Sequence, residues 1–509
     1  MKKLSVLGLL GKYQNWVKKG EIHFLKKGTA QQRVILKLLK DIISDFTKAA
    51  EKSGGLSENL DWYEAHRQGK KLYQALASYA LNSIDPSSKG NAKLYQFLDA
   101  ATEFEDILYG LETYYRDHTL HSLWVYFIGE HILREHLEDV HNNLNWYLYN
   151  DVERDKASYK RTLVDEAKKQ QKALLKKVNE HRDAIWCIIA LCHDLGYSIE
   201  KLTKLNEKVR NVLGFLDFRG IPRVGYSLNL EHQHLTCQLL ELMSVDVRIV
   251  PSSDERTPLV KLYRDDKTYW LLCRSLEKRQ HGVLSSYLIY KILGIFADAC
   301  VRGPGEEWGL EDDEVISNLI RGDILFAIAQ HRFDFSYLEE LGSLADILVL
   351  ADELEEFSRF GRPMLSRKYH DTIAESSIVF RRTKHRKEKQ IEVDMSYEVA
   401  KEHSLDKFFR RKMNRLSQIY ALSKHDRDTR LSAEGVYRIK CIKMEARQNG
   451  KRRAFSLSYD SIKADLPSGK MKGETYPEGE YNLTVRDDDL FVRVGDDEIS
   501  IQEWFPNES

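Results

Sequence analysis

Apolar residues recur at helical spacing from residue 30 to about residue 355, as in "RVILKLLKDIISDF" and "SSYLIYKILGIFADAC", and few prolines interrupt them. This pattern predicts a mainly α chain, with a helical N-terminal region over residues 1–104 and an all-helical body over residues 105–365. Turn formers in "SIDPSSKGNAK" support the end of the first region. A charged, helix-favouring stretch at about 142–180 predicts a helical insertion that projects from the core.

The pattern changes after Pro363, where short alternating or β-branched segments such as "KQIEVDMSYEV" and "VYRIKCIKMEARQ" are separated by turn residues. One helical segment, "KEHSLDKFFRRKMNRLSQIYAL", lies among them. Residues 366–509 are therefore predicted to form a smaller α+β domain that is accessory to the helical body.

The composition shows no overall excess of positive or negative charge. Lys+Arg and Asp+Glu both total 78 in the 509 residues, so no overall field attracts a polyanion and any such site must be local. The six cysteines have no paired spacing, which favours buried thiols in a reducing cytoplasm. No apolar run approaches the roughly 20 residues that cross a bilayer, so we expect no membrane partner. The oligomeric state stays open.

Histidines and aspartates stand at the ends of, or within, several strongly apolar helical segments. A single residue of this kind more often caps a helix or forms a hydrogen bond than binds a metal. Together they are harder to explain, because buried imidazoles and carboxylates cost several kcal/mol unless a cation or hydrogen bonds compensate them. Nitrogen and oxygen ligands without thiolate suit Mn, Fe, Mg, Ni, Co or Zn. The residues are His121, His193, Asp194, His281, His331 and Asp352.

Their order resembles the H...HD...H...H...D signature of the HD-domain superfamily of metal-dependent phosphohydrolases, and "HSLWV", "CHDLG", "QHGVLSSYL" and "ADELEEF" resemble its local wording. The resemblance covers residues 105–365 and implies an all-helical HD core with two divalent cations. It implies that His121, His193, Asp194 and Asp352 hold the first metal. It further implies that Asp194 bridges to a second metal held by His281 and His331, and that the site cleaves a phosphoester or phosphoanhydride bond in a nucleotide or other phosphorylated small molecule.

The resemblance also suggests roles around the metals. His118, one helical turn before His121, resembles the proton donor to the leaving group in cyclic-nucleotide phosphodiesterases, and Asp194 joins it as a catalytic residue. Many members carry Lys or His where this chain has Tyr197, so substrate contacts must come from elsewhere. The candidates for contacting phosphate are Arg116, Lys201, Lys204, Arg332 and Arg359.

Two other functions stay open at this point. The basic clusters "FRRTKHRKEK" and "FFRRKMNR" in the C-terminal domain contain aromatic residues and could bind nucleic acid, which would make the protein a nuclease acting on single strands. Solvated strand ends and helix faces explain the same clusters without a ligand. A non-catalytic scaffold or sensor that retains the fold is the third hypothesis.

Overall fold

The structure is a computed structural model. It describes residues 4–52, 60–85, 91–108, 115–137, 140, 169, 172–174, 176–214, 230–251, 258–293, 307–309, 313–331, 340–357, 359–361, 370–371, 373–385, 388–401, 403–421, 437–458, 461–471, 474–486, 489–495 and 497–505. Most of the predicted insertion at 142–180 lies outside these residues.

Helices form most of the described chain before residue 355. In chain order the α-helices are α1 (Val6–Lys19), α2 (Ala30–Ala50), α3 (Trp62–Ile84), α4 (Asn91–Leu108), α5 (His118–Glu135), α6 (Arg182–Cys192), α7 (Tyr197–Gly214), α8 (Leu230–Met243), α9 (Asp266–Glu277), α10 (His281–Leu288), α11 (Asp313–Gln330), α12 (Leu344–Leu354), α13 (Leu405–Ala421) and α14 (Ile501–Trp504). A π-helical segment, Ile289–Leu293, continues α10.

Strands dominate the described chain from residue 370 onward, and six more strands lie in its earlier part. They are β1 (Tyr115–Arg116), β2 (Val245–Pro251), β3 (Pro258–Arg264), β4 (Glu307–Gly309), β5 (Glu340–Leu341), β6 (Arg359–Gly361), β7 (His370–Asp371), β8 (Ile373–His385), β9 (Glu388–Val399), β10 (Tyr437–Gln448), β11 (Lys451–Ser458), β12 (Ile462–Leu466), β13 (Gly469–Met471), β14 (Glu474–Tyr476), β15 (Gly479–Arg486), β16 (Asp489–Val494) and β17 (Asp497–Ser500).

The chain is mainly helical with a separate sheet domain. Eight C-terminal strands form one sheet in the order β17-β16-β15-β12-β11-β10-β9-β8. The neighbours are antiparallel except for β9 and β10, which run parallel. The short strand β5, which belongs to the preceding helical body, pairs with the start of β10. The sheet domain is therefore joined to the body by backbone hydrogen bonds.

The helical body also contains strands that its helical pattern does not predict. Strands β2, β3 and β4 form an antiparallel sheet, and β1 and β6 form a second small sheet together with β7, which follows residue 365. The alternating β-branched residues of "VDVRIVP" in β2 are typical of a strand. The expectation of an all-helical body is thus too simple.

Helix α5 lies at the centre of the body, since every residue from His118 to Leu133 is buried. A Cβ atom at Gly129 would lie 1.9 Å from the Trp186 ring, so only glycine lets α5 and α6 approach this closely. The hydroxyls of Tyr13 and Tyr126 are 2.9 Å apart and join α1 to α5. The N-terminal helices therefore share the core of the body.

No helix of the described residues has both the length and the apolar character needed to cross a bilayer. The five described cysteines are free thiols. Cys187, Cys192 and Cys441 are buried, as expected, whereas Cys237 is exposed and Cys273 is partly exposed. Cys300 lies outside the described residues.

Candidate metal centre

Five segments that are distant in sequence bring their histidines and aspartates together at helix ends. Asp117 caps the start of α5 by accepting a hydrogen bond from the Leu120 amide at 2.9 Å, which places His118 and His121 in the first turn. The pair His193–Asp194 follows α6 directly. The remaining members are His281 at the start of α10, His331 after α11, and Asp352 in the last turn of α12.

Asp194 lies between two pairs of histidines. Its Oδ2 atom is 3.5 Å from Nε2 of His121 and 3.5 Å from Nε2 of His193. Its Oδ1 atom is 3.2 Å from Nε2 of His281 and 3.6 Å from Nε2 of His331. Asp352 completes the first side, with Oδ1 at 3.0 Å from His121 Nε2. The structure thus contains two groups that could hold a metal, and Asp194 belongs to both.

Two of the four imidazoles are oriented by backbone carbonyl groups. His193 Nδ1 lies 2.8 Å from the Ala190 carbonyl oxygen, and His331 Nδ1 lies 2.5 Å from the Ile328 carbonyl oxygen. A carbonyl only accepts, so Nδ1 carries the proton in both rings. When such a ring is neutral, its Nε2 atom presents a lone pair toward Asp194.

The other two imidazoles are oriented by carboxylates. His121 Nδ1 lies 2.7 Å from Glu355 Oε2, and His281 Nδ1 lies 2.6 Å from Glu200 Oε2. An ionised carboxylate accepts only, so Nδ1 again donates and Nε2 points its lone pair into the centre. Carboxylate–histidine pairs of this type fix the ring and raise its basicity as a ligand.

The donor atoms fit divalent cations. His121 Nε2 and His193 Nε2 are 3.2 Å apart, although neither neutral ring has a proton on that atom to share. Ligand bonds of about 2.0–2.1 Å give ligand–ligand separations of about 3 Å in an octahedron and slightly more in a tetrahedron. His331 Nε2 is buried and has no hydrogen-bond partner among the described residues. Cations bound at the two groups would satisfy these lone pairs.

The protonation states also suit metal binding. Burial lowers the pKa of His193 to about 3 and lowers the pKa of His331, which keeps both rings neutral near pH 7. Burial by itself would raise the pKa of Asp194, but the surrounding histidines, His193 foremost, hold it well below its ordinary value. Neutral imidazole and ionised carboxylate are the forms that coordinate metals.

A short turn fixes Asp194 between the two histidine pairs. The Ser285 hydroxyl donates to the His193 carbonyl at 2.6 Å and accepts from the Gly196 amide at 2.8 Å. A Cβ atom at Gly196 would lie 2.4 Å from the His281 carbonyl oxygen and 2.7 Å from the Ser285 amide nitrogen. The glycine therefore allows the close approach of α10 that places His281 beside Asp194.

His118 faces the same carboxylate from a greater distance. Its Nε2 atom is 4.0 Å from Asp194 Oδ2, and its ring lies 3.9 Å from the ring of Tyr197, centre to centre. The ammonium of Lys201 lies 4.5 Å from the centre of the Tyr197 ring, and Lys201 is buried. A cavity of about 30 Å³, room for about one water molecule, is bounded in part by His118, Asp194 and Ser198.

The remaining candidates for phosphate contact lie outside what the structure describes. Arg116 and Arg359 pair with each other as backbone neighbours in β1 and β6, but their side chains lie outside the described set. The same holds for the side chain of Lys204 and for all of Arg332. Lys201 alone among the five predicted residues has a described side chain.

Glu355 and Glu200 are functional candidates that sequence reasoning missed. Glu355 is fully buried, and it lies 234 positions from His121 in the sequence. A carboxylate one helical turn after Asp352, in "ADELEEF", was an available signal, because it falls on the same side of the helix end. Glu200 gave a weaker signal, since the start of a helix is a common place for glutamate.

A third group of possible ligands, His131, Glu135 and His136, lies at the other end of α5. Here the Lys12 ammonium is 2.7 Å from Glu135 Oε2 and 3.4 Å from His131 Nδ1. A cation of the protein itself therefore already compensates this group, in contrast to the centre around Asp194.

Comparisons with protein-family models, with curated proteins and with solved structures found no match for this chain. The geometry of its own residues is consequently the basis for a functional assignment.

Proposed function

We propose that the protein is a metal-dependent phosphohydrolase of the HD type, which cleaves a phosphoester or phosphoanhydride bond in a nucleotide. The supporting observation is the position of Asp194, whose two oxygen atoms each face a different pair of histidine Nε2 atoms. A carboxylate in this position can bridge two cations. The resemblance of the ligand order to the HD signature supports the same reaction class.

His121, His193, Asp194 and Asp352 would hold one cation, and Asp194, His281 and His331 the other. When bound, two such cations neutralise phosphate charge and lower the pKa of a water molecule so that it can act as nucleophile. Any of Mn, Fe, Mg, Ni, Co or Zn accepts this set of nitrogen and oxygen ligands.

Residues of the chain supply the remaining tasks. His118 has Nε2 at 4.0 Å from Asp194 Oδ2 and can act as the donor of a proton to the oxygen of the leaving group. Lys201 can approach phosphate as a cation, because its ammonium lies over Tyr197, which itself contacts His118. Glu355 and Glu200 hold the rings of His121 and His281 in the orientation that ligation needs.

The described basic side chains of the C-terminal domain favour this function over a nuclease. Arg381 pairs with Asp394, and Arg382 donates to the Glu135 carbonyl at 2.6 Å. Arg410 donates to the Phe505 carbonyl at 3.1 Å. Arginines that are engaged within the chain are less available to bind phosphates of a nucleic acid.

The function is tested by incubating the purified protein and Mn²⁺ with deoxynucleoside triphosphates, cyclic mono- and dinucleotides, alarmones and a short single-stranded oligonucleotide. Products are identified by mass spectrometry. We expect turnover of one nucleotide class, lost at least 1,000-fold in Asp194→Asn because that change removes the shared charge. Asp266→Asn, at an exposed carboxylate on α9, is the control and should retain full activity.

Cleavage of the oligonucleotide alone would replace the proposal with a nuclease. Equal turnover by wild type and Asp194→Asn would refute the site. Absence of turnover by metal-loaded protein across the panel would favour a scaffold or sensor.

A further inference from the structure

The helix that carries Asp352 is held at both ends by the C-terminal domain. Two residues before the Ser343 cap of α12, strand β5 pairs with β10 of the C-terminal sheet, in the register Leu341 with Tyr437 and Glu340 with Arg438. At the other end of α12, side chains of α13 contact the Glu353 carbonyl and the carboxylates of Glu353 and Glu356. Both sets of contacts come from elements that follow α12 by about 50 residues or more in the sequence.

Lys412 makes the central contacts at the C-terminal end of α12. The Lys412 ammonium donates to the Glu353 carbonyl and lies 2.5 Å from Glu356 Oε1. Lys412 is 2 % exposed and Glu356 is 2 % exposed, so this ion pair is shielded from solvent. Arg415 of α13 adds a second contact, with Nε at 2.6 Å from Glu353 Oε1.

These contacts suit the electrostatics of a helix end. The last four carbonyls of a helix have no partner within the helix, and they carry partial negative charge. A buried ammonium that binds the Glu353 carbonyl satisfies one of them and fixes where the helix ends. Burial makes the contact strong, because little water competes for it.

Each contacted residue directly follows a member of the metal centre. Asp352, the residue before Glu353, has Oδ1 at 3.0 Å from His121 Nε2. Glu355, the residue before Glu356, has Oε2 at 2.7 Å from His121 Nδ1. A small rotation of the helix end would move both carboxylates relative to the ring of His121.

We infer that Lys412 is a positioning residue through which the C-terminal domain sets the metal affinity of the centre. Lys412, on α13, binds the C-terminal end of α12. It thereby holds Asp352 beside Nε2 and Glu355 beside Nδ1 of His121. The accessory domain then acts on the metal centre through α12 and needs no contact with the substrate. This inference rests on the proposed metal-dependent function, but it concerns metal binding and not turnover.

The test is a titration of the full chain with Co²⁺, followed by visible absorption. The variant Lys412→Met/Glu356→Gln removes both buried charges and so avoids leaving either one alone. We expect Co²⁺ affinity to fall about 10-fold or more, and the d–d bands to change because the ligand geometry around His121 changes.

Two controls separate positioning from general destabilisation. Lys407→Met removes an exposed lysine of the same helix. Leu457→Ala removes a buried side chain from β11 in the sheet core and so destabilises the domain without touching the Lys412–Glu356 ion pair. Both should bind Co²⁺ with the affinity and spectrum of the wild type, even though Leu457→Ala unfolds at a lower temperature.

A double variant that binds Co²⁺ like the wild type, or that loses no more affinity than Leu457→Ala, overturns the inference and leaves the proposed function intact. Failure of the wild type itself to bind Co²⁺ overturns both. If the double variant does not fold, Arg415→Gln replaces it, since Arg415 retains some exposure and its loss is milder. This variant should show a several-fold loss in the same direction, and an unchanged affinity overturns the inference.

Discussion

Glu355 Oε2 lies 2.7 Å from Nδ1 of His121, and both side chains are fully buried. The carboxylate fixes the ring so that Nε2 faces Asp194 and Asp352. Residues 121 and 355 thus define one side of the centre, while Glu200 and His281 repeat the arrangement on the other side. This symmetry leads to a prediction for each metal.

Glu355→Gln should lower the affinity for the first metal, the one assigned to His121, about 10- to 100-fold. An amide orients His121 less firmly than a carboxylate and no longer raises the basicity of the ring. Glu200→Gln should weaken the second metal by a similar factor and leave the first unchanged. Isothermal titration with Mn²⁺ measures both affinities. If both variants lost affinity for the same metal only, the assignment of Glu355–His121 to one metal and Glu200–His281 to the other would be contradicted.

Metal removal should destabilise the wild type. A cation that binds only the native state stabilises it by about 2.7 kcal/mol at a concentration 100 times its Kd. Scanning calorimetry with Mn²⁺ and with EDTA should therefore show a clear drop in Tm on chelation. Asp194→Asn should show little difference between the two conditions, and an equal drop in both proteins would place the bound cation elsewhere.

Gly196→Ala should disrupt the centre, because the added Cβ would lie 2.4 Å from the His281 carbonyl oxygen. We expect a destabilisation of about 1–3 kcal/mol together with loss of the second metal. Gly11→Ala is the control, since the new Cβ has nothing within 4 Å. That change on α1 should be neutral or stabilise the protein by up to about 1 kcal/mol. Chemical denaturation measures both, and equal stabilities would contradict the close packing of α10.

Stability should fall as the pH decreases from about 6.5 to 4, and His131 should contribute to this fall. Burial, together with nearby Lys12, lowers the pKa of His131 to about 4, whereas an unfolded histidine has a pKa of about 6.5. Between these two pKa values the unfolded chain takes up a proton that the native chain does not. The stability that neutral His131 contributes is therefore lost as the pH falls through this window, and it is constant above the window. The contribution is on the order of 3 kcal/mol.

His131→Gln should make the pH dependence shallower, since glutamine does not titrate. Urea denaturation at pH 7, 6, 5 and 4 measures the slope in both proteins. Parallel slopes would show that His131 is not the source. Exposed His234→Gln is the control and should leave the slope unchanged.

The sequence pattern predicts the long helices of the body and the strands β8 to β11 well, because each is a long segment with one dominant period. It does not predict β5, whose two residues become a strand only by pairing with β10, about 100 positions later. The domain limits at 104 and 365 stay predictions. Even so, β7 after the second limit pairs with β6 before it.

The six predicted ligands are conspicuous in the sequence because each is a polar side chain that interrupts an apolar helix or stands at its end. The residues that orient them are not, since the Glu355–His121 contact joins positions 234 apart. The sequence pattern predicts that "FFRRKMNR" is an exposed basic cluster, yet Lys412 within it is buried against α12. Charge runs do not reveal which member faces a neighbouring element.

The most direct test of the central claim is the number of cations that Asp194 helps to hold. Wild type and Asp194→Asn are dialysed against buffer with Mn²⁺ and, as a reference, against metal-free buffer. The number of bound metal ions per chain is then measured by inductively coupled plasma mass spectrometry. We predict two cations per wild-type chain and at most one, weakly held, in the variant. No bound cation in the wild type, or the same number in both proteins, would contradict a shared binuclear centre.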